Sequence, residues 1–328
     1  MHKFVGLVVS VIVTLAAIHA FSPRPMPPFE VTRIDPQRLL INGVGATATQ
    51  VVAVGEQGHI LASGDGGGTW LEARVRDPRG STLTAMHFVD ANTAVAVGHD
   101  GWILRSGDGG RQWDEVAFDD KSSEPLLGVD GAPGGPLVAV GAFGRLMMSA
   151  DEGRTWRRQE MPSADEHHLN AVAADRDGRI LVVGEAGTIL RSADGGASWE
   201  RLPEIYDGSF FGVLHLTSDE WIVYGMRGRV FRTHDFGKSW RQAEVPVAVA
   251  LFGGTLTPAG QVVLVGEGGA VLVSDDQGAR FRVAKAGGRQ SLAAVAATAD
   301  GKLFVAGEPG VHAETLAAAS PSGVSARN

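Results

Sequence analysis

The chain has 328 residues, no cysteine, and a formal charge of −8 from 29 basic and 37 acidic side chains. Without a thiol there is no disulfide, no thiolate metal site and no lipid-modified cysteine. Without a basic stripe there is no electrostatic footprint for nucleic acid as a partner.

Residues 1–22 read as a signal peptide or signal anchor. MHK gives a weakly basic start, FVGLVVSVIVTLAAI is a run of 15 residues dominated by apolar side chains, and His19-Ala20 is a cleavage point. That run is short for a membrane span. The protein is therefore expected to be exported to the periplasm or another extracytoplasmic space, and tethered to the membrane if the signal stays uncut. Residues 23–28 are a proline-rich linker.

From residue 29 to 315 the chain is repetitive. An octet recurs six times, as SGDGGGTW from Ser63, SGDGGRQW from Ser106, SADEGRTW from Ser149, SADGGASW from Ser192, THDFGKSW from Thr233 and SDDQGARF from Ser274. Its aspartates Asp65, Asp108, Asp151, Asp194, Asp235 and Asp276 are 41 to 43 residues apart, a period that belongs to propellers and solenoids. A second column is longer. Gly55, Gly98, Gly141, Gly184, Gly225, Gly266 and Gly307 each end an apolar run, and fifteen residues before them stand Leu40, Leu83, Leu126, Leu169, Phe210, Leu251 and Leu292. Seven units therefore exist although six carry the octet.

Each unit reads as four short strands, exemplified by LTAMHF, TAVAVG, WILRS and WDEVAF in the second. The expected fold is all-β, a seven-bladed β-propeller of four-stranded blades. Two residues beyond the leucine column lie Asn42, Ala85, Gly128, Ala171, Gly212, Gly253 and Ala294, small enough for blades converging on an axis. In the octet, the aspartate accepts turn amides, the glycine supplies backbone freedom, and the terminal Trp70, Trp113, Trp156, Trp199 or Trp240 packs beside the sheet, with Phe281 in the sixth slot. These aspartates sit in different blades, so each serves its own turn and none is assigned to metal or catalysis. The seventh unit lacks an octet because the chain changes character after Gly310, and residues 316–328 are expected to be a disordered tail. FEVTRI, residues 29–34, has no blade of its own and is expected to close the ring as the last blade's outer strand.

The unit VAVGxxGxILRSxDGGxxW, as in AVAVGHDGWILRSGDGGRQW and ILVVGEAGTILRSADGGASW, resembles the repeat of the photosystem II stability/assembly factor family, a branch of the bacterial neuraminidase or Asp-box repeat proteins. The resemblance implies an extracytoplasmic, non-catalytic, cofactor-free propeller that binds unassembled membrane proteins and helps them into complexes. The partner expected is a membrane-protein complex or transporter, met by a monomer. The alternative is a sialidase-like glycoside hydrolase or a lectin using the central pocket. A sialidase resemblance would require a tyrosine nucleophile with a glutamate partner, an arginine cluster and an Arg-Ile-Pro motif. Here only Tyr206 and Tyr224 are present, and no Arg-Ile-Pro occurs.

Repeat length varies only between the octet's end and the next leucine, so the face opposite the octets is the candidate partner-binding face. After each column glycine come Glu56, His99, Ala142, Glu185, Met226, Glu267 and Glu308, a partial carboxylate ring suited to a cation or a basic segment. The same turns bring Trp102, Phe143, Arg145, Arg227 and Arg229, and the connections bring Asp165, Glu166, His167, His168, Asp207 and Arg289. The adjacent histidines lack ligand spacing, so no metal is assigned. Arg105, Arg191 and Arg232 precede three octets, their stems expected on the sheet and their heads in water.

Overall fold

A computed structural model describes residues 4–6, 11–15, 35–36, 38–119, 121–132, 134–160, 167–217 and 219–316. The expected linker, closing strand and C-terminal tail fall outside these residues, apart from Leu316. Residues 1–33 form a unit of their own, in which 4–6 and 11–15 are helical. Among the described residues no helix is long and apolar enough to cross a membrane.

The rest is a seven-bladed propeller of four-stranded antiparallel blades, as expected. Six blades show all four strands. The second runs Leu83–Phe88, Ala94–Gly98, Ile103–Ser106 and Gln112–Ala117, and the parallel pair Arg74–Val75 adds to its outer edge. The seventh shows Leu292–Ala297, Leu303–Gly307 and Gly310–Glu314. Second strands such as Val51–Gly55 and Ala94–Gly98 are buried throughout because each lies between two neighbouring blades, which is why they read as unbroken apolar runs.

The column glycines have extended backbone, which any residue adopts, so their reason is space. A Cβ on Gly98 would strike the carbonyl oxygen of Thr82, and the other six meet the equivalent carbonyl ahead of their own first strand. Small residues on the first strands do bring blades into backbone contact. A Cβ on Gly128 would lie 3.1 Å from Ala171 Cα, and one on Gly253 2.7 Å from Ala294 Cα.

In the first blade this column is one residue off the expected position. Ile41, not Leu40, faces Gly55 as Leu83 faces Gly98, and Gly43, not Asn42, faces Val54 as Ala85 faces Val97. The cause is a hairpin one residue shorter, since Ala46 pairs with Val51 where Phe88 pairs with Ala94. Leu40 is consequently 40% exposed. Asn42 instead reaches across to the second blade and donates to Leu83 C=O at 2.8 Å. Asn170 to Phe210 C=O and Thr84 to Leu126 C=O repeat this link at 2.8 and 2.6 Å.

The octets are hydrogen-bonded turns. Ser63 Oγ donates to Asp65 Oδ1 at 2.8 Å and accepts from Gly67 N–H at 2.8 Å, while Asp65 also accepts Thr69 N–H at 2.9 Å and Thr69 Oγ1 at 2.7 Å. Asp151, Asp194 and Asp235 have the same set. The fifth octet residue is always glycine because φ is positive and a side chain would enter the preceding blade; at Gly110, φ +90°, a Cβ would lie 2.5 Å from Val52 Cγ2. Trp113 Nε1 donates to Gly110 C=O at 2.9 Å from a buried position, whereas Trp70, Trp156, Trp199 and Trp240 are half-buried.

The ring closes by the same contacts. Blade seven takes the place preceding blade one: Phe304 lies under Gly67 and meets Trp70 edge-on at 6.2 Å, and Ala306 and Val311 join Ile41, Ala53 and Leu61 in one cluster. The chain approaching the first blade is met at Pro36, whose carbonyl accepts Val311 N–H at 3.1 Å.

Phe304→Ala is expected to lower unfolding free energy by about 3–5 kcal/mol, and Gly110→Ala by roughly 2–4 kcal/mol through strain and overpacking. Denaturant titration measures both. The octet hydrogen bonds hold Asp65, Asp151 and Asp194 at about 2 against an ordinary 3.8, led by the Thr69 amide at Asp65 and by the Thr155 and Ser198 hydroxyls at the others. Their stabilisation is complete above the unfolded value and lost as pH falls through the folded one. Melting temperature should hold as pH falls towards 4, then drop steadily to pH 2 in circular-dichroism melts.

Candidate functional site

Each second strand ends in a tight turn, and in the first six blades the third strand runs from that turn to an octet, so turns and octets occupy opposite ends of the ring. The connections between blades join the turns: Asp119 N–H donates to Asp100 C=O, Gly144 N–H to His167 C=O and Gly187 N–H to Gly208 C=O at 2.8 to 2.9 Å. This is the expected partner-binding face.

Its first turn position is committed inward. Glu56 N–H donates to Leu40 C=O, and the Glu56 carboxylate accepts Leu40 N–H at 2.9 Å. Glu185 does the same with His168, Glu267 with Ala250 and Glu308 with Ser291, at 2.9 to 3.2 Å. The carboxylate ring is thus four copies of a clamp that satisfies the amide ahead of a first strand. In the third blade that place is Pro125, which has no N–H, and the turn residue is Ala142, which has no acceptor. His99 and Met226 occupy the position without this bond; His99 is exposed and Met226 half-buried.

The second turn position faces outward at Gln57, Phe143, Ala186 and Arg227, while Asp100 is half-buried and accepts Ser81 Oγ at 2.6 Å. Gln57, Asp100, Phe143, Ala186 and Arg227 all have φ between 47° and 57°, the left-handed region, which costs a branched or bulky side chain the most. Phe143 is 53% exposed there and packs on His168, ring centroids 4.9 Å apart. Arg227 and Arg229 are exposed on the same turn and form no ion pair among the described residues. Asp207 and Arg289 are exposed, His167 is half-buried, and Asp165 and Glu166 lie outside the described residues.

Two expected surface residues belong elsewhere. Trp102 is fully buried under Gly58, its Nε1 donating to Glu115 at 3.0 Å, because the residue after the turn points into the space between blades one and two. Arg145, 6% exposed, lies over Gly101 and ties down Ser122 Oγ at 3.2 Å, Glu124 C=O at 3.0 Å and Asp119 at 3.5 Å. The axis holds a cavity of about 230 Å³ walled by Asn42, Thr84 and Asn170 on one side and Phe211 and Phe252 on the other. Tyr224 is buried against Gly212 and Gly254 in that wall, and burial raises its phenol above the ordinary 10. Tyr206 packs on Phe210 and Phe231 in a separate cluster.

Glu185→Ala should cost about 1–2 kcal/mol by stranding the His168 amide, while Ala142→Glu should gain nothing opposite Pro125. Chemical denaturation of the two variants checks this.

The family described as photosynthesis system II assembly factor YCF48 matches residues 111–257. YCF48 from Cyanidioschyzon merolae superposes with a TM-score of 0.69 at 17% identity, covering 85% of this chain and 96% of that one. A structure described as YCF48 bound to D1 peptide gives 0.56 at 19% identity, covering 69% and 75%. The WD40 propeller domain of Doa1 gives 0.70 at 12% identity, covering 85% and 93%, so the superpositions speak for the fold. No curated protein matches the sequence. The family match covers 147 of the 328 residues, and together with the superpositions it makes this chain a seven-bladed β-propeller similar to the YCF48 assembly factors.

Proposed function

We propose that the protein is an exported, non-enzymatic propeller that binds a membrane-protein complex and assists its assembly, stability or operation. The observation that carries this reading is the assembly-factor family match over residues 111–257, which spans the second to sixth blades. A YCF48 structure is described with a D1 peptide, and a segment of a membrane protein is the kind of partner this chain is proposed to take. Residues 1–22 serve export, with membrane tethering if the segment is retained.

The contact is proposed on the turn face, with its chemistry shifted from that suggested by the carboxylate ring. The four glutamates each lend an oxygen to their own blade, while the fifth blade's turn offers the uncompensated charge of Arg227 and Arg229 and the third blade's turn the exposed ring of Phe143. Such a surface suits an extended segment carrying a carboxylate and an apolar side chain.

A tagged protein incubated with gently solubilised membranes should recover a membrane protein, and Arg227→Glu with Arg229→Glu should reduce recovery about tenfold or more with melting unchanged. Recovery of no membrane protein, together with binding or turnover of a glycan, would reverse the reading.

A further inference from the structure

In six blades the third residue of the first strand pairs with a short aliphatic residue of the second strand, Val54, Val97, Val140, Val183, Val265 or Ala306. In the fifth blade that partner is Tyr224, opposite Gly212. A phenol is far longer than a valine, and two glycines make room for it. A Cβ on Gly212 would strike its hydroxyl, and one on Gly254 of the sixth blade would lie 2.9 Å from it. The ring therefore lies in the seam between blades five and six with its hydroxyl at the first strands, where Tyr224 joins the wall of the axial cavity. The residue is 3% exposed, and among the described residues its hydroxyl has no hydrogen-bond partner. A buried hydroxyl left unmatched weakens the fold, so its place here calls for a reason that the six aliphatic positions do not need.

The cavity of about 230 Å³ is neutral: among the described residues no charged side chain lines it. One layer of its wall is the second residue of each first strand, which brings Asn42, Thr84 and Asn170 from three blades and Phe211 and Phe252 from two others. Asn42 and Asn170 each spend one N–H on the next blade's carbonyl and keep the amide oxygen and a second N–H. Thr84 gives its hydroxyl proton to Leu126 C=O and keeps its lone pairs. Phe211 and Phe252, ring centroids 5.4 Å apart, form the apolar part of the wall. A charged guest would leave water here without a counter-charge, which burial penalises heavily. A neutral group that both donates and accepts finds a match for each function.

We propose that the axial cavity binds a small planar primary carboxamide, held by the Tyr224 hydroxyl and the Asn42 and Asn170 amides with its apolar part against Phe211 and Phe252. A primary carboxamide is a compact neutral group with two donors and a strong acceptor in one plane. Its oxygen accepts the Tyr224 proton, and its N–H groups donate to the asparagine oxygens and to Thr84 Oγ1. The phenol thereby gains the acceptor that the surrounding blades do not provide. The site lies on the axis and is independent of the partner-binding reading of the turn face.

The test titrates p-fluorobenzamide, p-fluorobenzoate, p-fluorobenzylammonium and methyl glucoside into the full chain carrying ring-labelled tyrosine, read by NMR. Tyr206 and Tyr224 are the only tyrosines, and Tyr206, packed in a separate cluster, is the internal control. The benzamide should shift Tyr224 saturably and leave Tyr206 unmoved, and the two charged probes and the glucoside should bind at least about tenfold more weakly. Tyr224→Phe keeps the ring and should weaken binding about fivefold, read from the fluorine signal of the probe, while melting no lower than the parent because its hydroxyl has no partner to lose. Ala293→Phe repeats in the seventh blade the ring that Phe252 supplies in the sixth, and should fill the cavity and abolish binding. Equal binding of the benzamide and any other probe, no shift at Tyr224, undiminished binding by either variant, or a lowered melting temperature for Tyr224→Phe would each overturn the proposal.

Discussion

Seven sheets can share one axis only if their innermost backbones touch, and that contact governs the rest of the molecule. Gly43, Gly128 and Gly253 stand where the neighbouring blade's main chain leaves no space for a larger side chain. Given that approach, the Asn42, Thr84 and Asn170 side chains span the short gap to the next blade's carbonyls, and second strands are enclosed on both faces. The octets do the corresponding work farther out, where glycines with positive φ let each turn press on the blade before it. Stability is therefore distributed around the ring, and the contact of blade seven with blade one is one more of the same kind.

Periodicity made the blade count and strand order legible, because each unit repeats the same steric demands. Counting columns from the glycines failed in blade one for a reason no column reveals: one residue is missing from a hairpin, and Leu40 and Asn42 slide past the places held by Ile41 and Gly43. Trp102 looked available because it lies outside the octets, but its position after the turn points it between blades. The glutamate clamp was within reach of the sequence. Pro125 and Ala142 differ together from the other repeats, and a missing donor paired with a missing acceptor is a physical signature. Arg145 gave no such sign, since its burial depends on its bonds to Asp119, Ser122 and Glu124.

The two ends of the ring differ in how their charge is employed. At the octet end, carboxylates hold their turns, and Arg105, Arg191 and Arg232 donate to carbonyls of the next blade's octet, not simply to water as the sequence suggests. At the turn end, acidic groups hold their own blades and unpaired guanidinium groups face solvent. Exposed charge of that sort acts on the rate and orientation of an encounter as much as on buried area.

The left-handed second position of the turns separates shape from identity. Gln57, Asp100, Phe143, Ala186 and Arg227 differ in size, charge and polarity, yet their φ angles lie within ten degrees of one another. The frame is set by the flanking glycine column and the bonds to the first strands, so the side chain there acts as an interchangeable label on a fixed mount. A sequence change at that position alters what the surface presents while the backbone that presents it stays the same.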